Sequence, residues 1–122
     1  MKYVLMFTSN TDLDATIDKE TLEADYKKIY EWFTTHADKF ADGGAELLGV
    51  ETSTTVKHGD AGAVVVDGPF NEAKEVIGGF SIIDVPDMDA AVALTKSWPL
   101  LERPGNAVEI RPMVEDYSQF EQ

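Results

Sequence analysis

Val66-Asp67-Gly68-Pro69-Phe70-Asn71-Glu72-Ala73-Lys74-Glu75, followed after Val76-Ile77 by Gly78-Gly79-Phe80, holds the turn around which the chain can be laid out. Aspartate accepts backbone hydrogen bonds at a turn, Gly68 permits dihedrals closed to other residues, and Pro69 fixes the exit direction. Phe70 then has a large apolar ring to place in a core or dimer contact. Downstream, residues 76–85 read as a long strand in which Gly78-Gly79 marks a bulge or a close backbone approach. Upstream, residues 54–57 and 63–66 read as a hairpin turning through His58-Gly59-Asp60.

Further out, residues 3–7 form a strand that is apolar at every position, which suggests burial on both faces. A polar loop over residues 8–17 leads to a helix with Asp18 as its N-cap. Leu22, Tyr26, Ile29, Phe33, His36 and Phe40 recur at alternating spacings of four and three, which puts them on one helical stripe. Asp42-Gly43-Gly44 is expected to end that helix, and residues 46–53 to form the next strand. After the long strand, Asp87 caps a second helix whose inner face is Met88, Ala91, Val92, Thr95 and Trp98, and Pro99 stops it. Residues 107–113 supply a last strand. Residues 1–114 are thus expected to form one α+β domain, followed by a polar tail over residues 115–122.

The order strand, helix, strand, hairpin, strand, helix, strand reduces, without the hairpin, to the split βαβ arrangement of a ferredoxin-like antiparallel sheet. Two helices cover one face of such a sheet. The all-apolar strands call for a cover on the other, and a second copy of the chain is the natural supplier, giving a homodimer.

Composition narrows the function. A chain of 122 residues at 43% hydrophobic and 27% charged is an ordinary globular domain. A net charge of -13 repels phosphate backbones and anionic lipid, which argues against nucleic acid and membrane as partners. No apolar run approaches the roughly 20 residues of a membrane span, and the cytoplasm is the expected location. The absence of cysteine excludes disulfides, thiolate catalysis and cysteine-ligated metal centres. Asn10, Asp12, Asp14, Thr16 and Asp18 imitate calcium-loop spacing, but Ala15 and Thr21 stand where that loop needs glycine and glutamate. No metal or cofactor is indicated.

Candidate chemistry rests on a few side chains. Asp67 with Glu72, Lys74 and Glu75 is a mixed-charge cluster that could anchor a ligand or form surface ion pairs. His36, on the apolar stripe, has the residue type of a general base, or of a hydrogen-bonded histidine at a helix–sheet contact. Glu109 and Arg111 share one strand face, where Arg111 could hold a small carboxylate. Phe70, Phe80 and Trp98 are candidate dimer or core contacts.

The turn and the strand after it resemble the signature of the DGPF branch of the YCII-related family. Further matches are Lys2-Tyr3-Val4-Leu5-Met6, Thr54-Thr55-Val56-Lys57 and Val108-Glu109-Ile110-Arg111-Pro112. The resemblance runs from Met1 to about Met113 and implies a dimeric α+β barrel. It also implies a His–Asp pair: His36 stands near the histidine's region, while Trp98 occupies the place expected for the acid. The resemblance includes links to alternative sigma factors, and hence an interaction protein tied to transcription regulation. Three readings follow. The favoured one is a small-ligand-binding module for an organic acid or aromatic molecule. The others are a cofactor-independent isomerase or oxygenase using His36 or Asp67, and the interaction protein.

Overall fold

Alternation along the first strand decides which side of the sheet meets the helices. In the computed structural model, which describes residues 1–70 and 73–120, β1 (Lys2–Asn10) turns Tyr3, Leu5 and Phe7 to one side and Val4 and Met6 to the other. The chain continues through α1 (Thr11–Asp14), α2 (Lys19–Thr35), β2 (Phe40–Glu46), β3 (Thr54–Lys57), β4 (Val64–Asp67), β5 (Glu75–Asp84), α3 (Met88–Thr95) and β6 (Ala107–Pro112). Strands β2, β5, β1 and β6 lie side by side in that order, each pair antiparallel, while β3 and β4 form a separate hairpin. This is a ferredoxin-like α+β arrangement. Among the described residues no helix is long and apolar enough to cross a membrane.

Register places Tyr3 opposite Ile83, and Leu5 between Ser81 and Ile110, so these side chains share the helix-facing side. Leu5 and Ile83 are fully buried there, with Trp32 of α2 and Ala91 and Leu94 of α3 packed over them. Burial of one such side chain contributes roughly 1.5–3 kcal/mol. The Trp32 indole N–H donates to Ser97 Oγ at 2.8 Å, and that hydroxyl donates to the Leu94 carbonyl at 2.6 Å, so the buried ring leaves no polar atom unmet. The opposite side carries Val4, Met6, Phe80 and Ile82, all half-buried, with Glu109 and Arg111.

Both helix starts follow the sequence. The Asp18 carboxylate accepts from the Thr21 backbone N–H at 2.7 Å, and Asp87 accepts from Ala90 at 2.9 Å. The inner face of α3 differs: Ala91, Leu94 and Thr95 are buried, whereas Met88 and Val92 reach solvent. A larger difference concerns Gly43-Gly44. Helix α2 ends at Thr35, not after Phe40, and the glycines lie inside β2 instead of capping a helix; residues 47–49 carry no regular structure. Gly43 and Gly44 have φ of 113° and 116°, and the pairing with β5 slips between Phe40 and Gly44. These positive-φ residues make a strand bulge, one of the uses of glycine that a helix stop imitates. The reading of Gly78-Gly79 holds. Phe7 faces Gly79 but Thr8 faces Ile77, so Gly78 is the extra residue, and a Cβ on Gly79 would lie 2.9 Å from the Ala45 carbonyl oxygen.

Candidate functional site

The two halves of the helix-facing side differ in side-chain size. Around Tyr3, Leu5 and Ile83 large residues meet Trp32 and α3 and fill the space. Beyond Phe7 the sheet presents Gly44, Gly79 and Ser81, and the start of α2 stands above this shallow floor with nothing to fill the gap. The result is a cleft of about 730 Å³, within the range of small-molecule sites.

The wall over the floor is the apolar stripe read from the sequence. Leu22, Tyr26, Ile29 and Phe33 of α2 line the cleft, and Phe40 joins them from β2. Leu22 and Tyr26 are 44% and 48% exposed because they border an open space and not a core. At the inner end, Phe7 lies 4.4 Å from Trp98 between ring centroids, and Phe33 lies 4.9 Å from Phe40. Both pairs are tilted, and aromatic contacts of this kind hold the walls in place.

Polar groups are few and mostly tied to one another. Asp25, one turn before Ile29, is 5% exposed; its Oδ1 accepts from Arg103 Nη2 at 2.8 Å, and its Oδ2 forms an ion pair with the same nitrogen at 2.7 Å. Arg103 follows the 3-10 turn Pro99–Glu102, whose Leu100 carbonyl accepts from the Arg103 backbone N–H and from the Asn106 amide. Across the cleft, the Tyr26 hydroxyl donates to Glu46 Oε1 at 2.6 Å, tying α2 to β2. This bond raises the phenol above its ordinary value, with partial burial and the carboxylate's charge acting in the same direction. Near the start of the cleft, Ser9 Oγ donates to Asp14 at 2.6 Å.

The residues singled out from the sequence lie mostly elsewhere. Asp67 ends β4 on the exposed hairpin, and Phe70 is 79% exposed. Glu72 lies outside the described residues. Lys74 pairs with Asp12 at 2.7 Å in solvent, which raises the ammonium above its usual value, first through the hydrogen bond and then through charge. Glu75, also exposed, opens β5 opposite Asn10. Arg111 and Glu109 lie 4.0 Å apart on the other side of the sheet. His36 follows the last turn of α2 with its ring 5.5 Å from Trp32, in a separate shallow hollow with Ser97 and Pro99. Of these residues Trp98 borders the cleft as part of the core, and Phe80, whose side chain lies on the other side of the sheet with Met6, is also at its edge.

Asp25 and Arg103 were missed. Asp25 left a signal: a carboxylate three residues after Leu22 and four before Ile29 sits on an apolar helix face, where burial demands a countercharge. Arg103 left none, because only the folded chain brings its loop over α2. Among the described residues, no group of three or more His, Cys, Asp or Glu side chains is placed to hold a metal ion.

A protein of Rhizobium meliloti (strain 1021) described as uncharacterized is 30% identical to this chain over 69 residues. The matched stretch is 57% of this chain and 56% of that protein, so the likeness spans little more than half of either. The family model for the YCII-related domain matches residues 1–115, nearly the whole of the fold just described, and the chain belongs to that family.

Proposed function

We propose that this YCII-related protein binds a small, mainly apolar organic molecule in the cleft between α2, the bulged end of the sheet and the Arg103 loop. The observation that carries the reading is a mismatch of sizes. Aromatic and aliphatic walls stand over a floor of glycine and serine, leaving about 730 Å³ unfilled. An apolar ligand that closes this space removes from water the surface that Leu22, Tyr26 and Ile29 now expose. An organic acid held by Arg111 draws no support from the arrangement, since that side chain lies on the other side of the sheet. A proton-transfer role for His36 or Asp67 draws none either, as both lie outside the cleft.

The proposal includes a homodimer through the face bearing Val4, Met6, Phe80 and Ile82. These side chains are apolar and half-buried without a helix over them, and Glu109 and Arg111 offer opposite charges to a symmetric copy. Sedimentation at micromolar concentration should show a dimer that Met6→Glu dissociates; a wild-type monomer would refute it.

The cleft itself is tested by thermal-shift and calorimetric titration with bicyclic aromatic compounds. Stabilisation by such a compound is expected, together with its loss in Leu22→Trp, which fills the cleft from the exposed end of the wall. Equal binding by that variant would place the ligand elsewhere, and no binding across the panel would refute the reading.

A further inference from the structure

We propose that Arg103, held by Asp25, is the polar anchor of the cleft and that its ligand is a neutral, largely aromatic molecule ending in a hydrogen-bond acceptor, such as a ketone or lactone carbonyl. This rests on the ligand-binding reading above and names the ligand class for it.

The argument begins with donor accounting. A guanidinium carries five N–H donors, two of them on Nη2. Among the described residues, Arg103 meets Asp25 through Nη2 alone, donating to Oδ1 at 2.8 Å with Oδ2 2.7 Å from the same nitrogen. The N–H groups of Nε and Nη1 are therefore left for a bound molecule, on a side chain that lines the cleft and is 26% exposed. The anchor is also held still. Asp25 grips its head, and the backbone of its loop is fixed on the Leu100 carbonyl. A donor positioned in advance loses little freedom when a ligand arrives.

Charge then selects the ligand. Arg103 is the one cation among the described residues lining the cleft, and Asp25 already offsets it; Asp14 and Glu46 add two further carboxylates. An anion entering here meets net repulsion, on a chain whose overall charge is -13. A neutral acceptor avoids that repulsion and still takes hydrogen bonds from a charged donor, which are among the stronger ones. Phe7, Phe33 and Trp98 provide the flat apolar surface for the remainder of the molecule.

The test compares four probes of one shape by calorimetry: naphthalene, 2-acetonaphthone, 2-naphthoate and 2-naphthylmethylamine. The ketone should bind roughly tenfold more tightly than the hydrocarbon, and more tightly than either charged analogue. In the double variant Asp25→Leu/Arg103→Met the ketone's advantage over naphthalene should fall to about one. An unchanged advantage in that variant overturns the anchor, as does tightest binding by the carboxylate or the ammonium compound. If naphthalene binds and the ketone gains nothing, the anchor alone fails. If neither binds, the cleft reading fails and the anchor with it. Should the double variant not fold, the infrared carbonyl band of the ketone on wild-type protein decides. A shift below its position in hexane is expected, and an unshifted band overturns the proposal.

Discussion

Replacing Arg103 with methionine removes the charge that faces Asp25 while keeping an apolar stem of similar length in the cleft wall. The Asp25 carboxylate, 5% exposed, then loses its partner. Two unit charges about 4 Å apart at an effective dielectric near 20 attract by about 4 kcal/mol, and breaking a buried pair costs about 3–5 kcal/mol. Arg103 is a quarter exposed, so water already screens part of the attraction and the lower end applies. The expected loss is about 3 kcal/mol, two powers of ten in the folding equilibrium and about 10 °C in Tm for a domain of this size. Adding Asp25→Leu removes the stranded charge, and the double variant should return to within about 1 kcal/mol of wild type. Urea melts followed by far-ultraviolet circular dichroism measure all three proteins. A single-variant loss under about 1 kcal/mol would show that the pair is not desolvated. A double variant as weak as the single one would show that packing, not charge, sets the cost.

Three other outcomes follow from the structure. Because Glu46 holds the Tyr26 phenol above its ordinary 10.0, the folded chain keeps this proton longer than the unfolded chain. The bond's contribution is complete below pH 10.0 and is lost as pH rises through the raised folded value; alkaline urea melts of wild type and Tyr26→Phe should converge there, and a constant gap would contradict the reading. Asp18 behaves oppositely. Its carboxyl is lowered from 3.8 by the Thr21 backbone and side-chain hydrogen bonds, so its support is present above pH 3.8 and fades as pH falls through the lowered folded value. Asp18→Ala should lower Tm at neutral pH and match wild type in strong acid. Finally, Gly79→Ala should destabilise far more than Gly78→Ala, since the first Cβ meets the Ala45 carbonyl oxygen at 2.9 Å and the second meets only the Phe7 oxygen at 4.0 Å; equal Tm losses would refute the close approach.

The fold was legible because its signals are local. The all-apolar run of β1, the capping aspartates of α2 and α3, and the hairpin turn each act within a few residues. Gly43-Gly44 was ambiguous for the same reason: a glycine pair after a helical stripe suits a cap, and only the slipped pairing with β5 reveals a bulge. The candidate site was half legible. The stripe Leu22, Tyr26, Ile29 and Phe33 is readable from its spacing, but whether it meets a core or an opening is not. What lies opposite α2 depends on β2 and β5 bringing Gly44 of one strand beside Ser81 of the other. Asp67, Lys74 and Arg111 drew attention as charged residues, yet charge in a sequence does not reveal burial. Asp25, the buried carboxylate, lay hidden among many exposed ones.

The glycine floor also divides labour within the cleft. Gly44 and Gly79 approach neighbouring backbone so closely that a Cβ would meet the Phe80 and Ala45 carbonyl oxygens at 2.6 and 2.9 Å. These positions are closed to change, so the floor cannot be reshaped by exchanging side chains. The roof can at its outer end, because Leu22 and Tyr26 border open space and accept other sizes without disturbing the core beneath Trp32. Such a site is a fixed mould with an interchangeable lid wall, in which a handful of substitutions on one helix can retune what fits while the fold below is left intact.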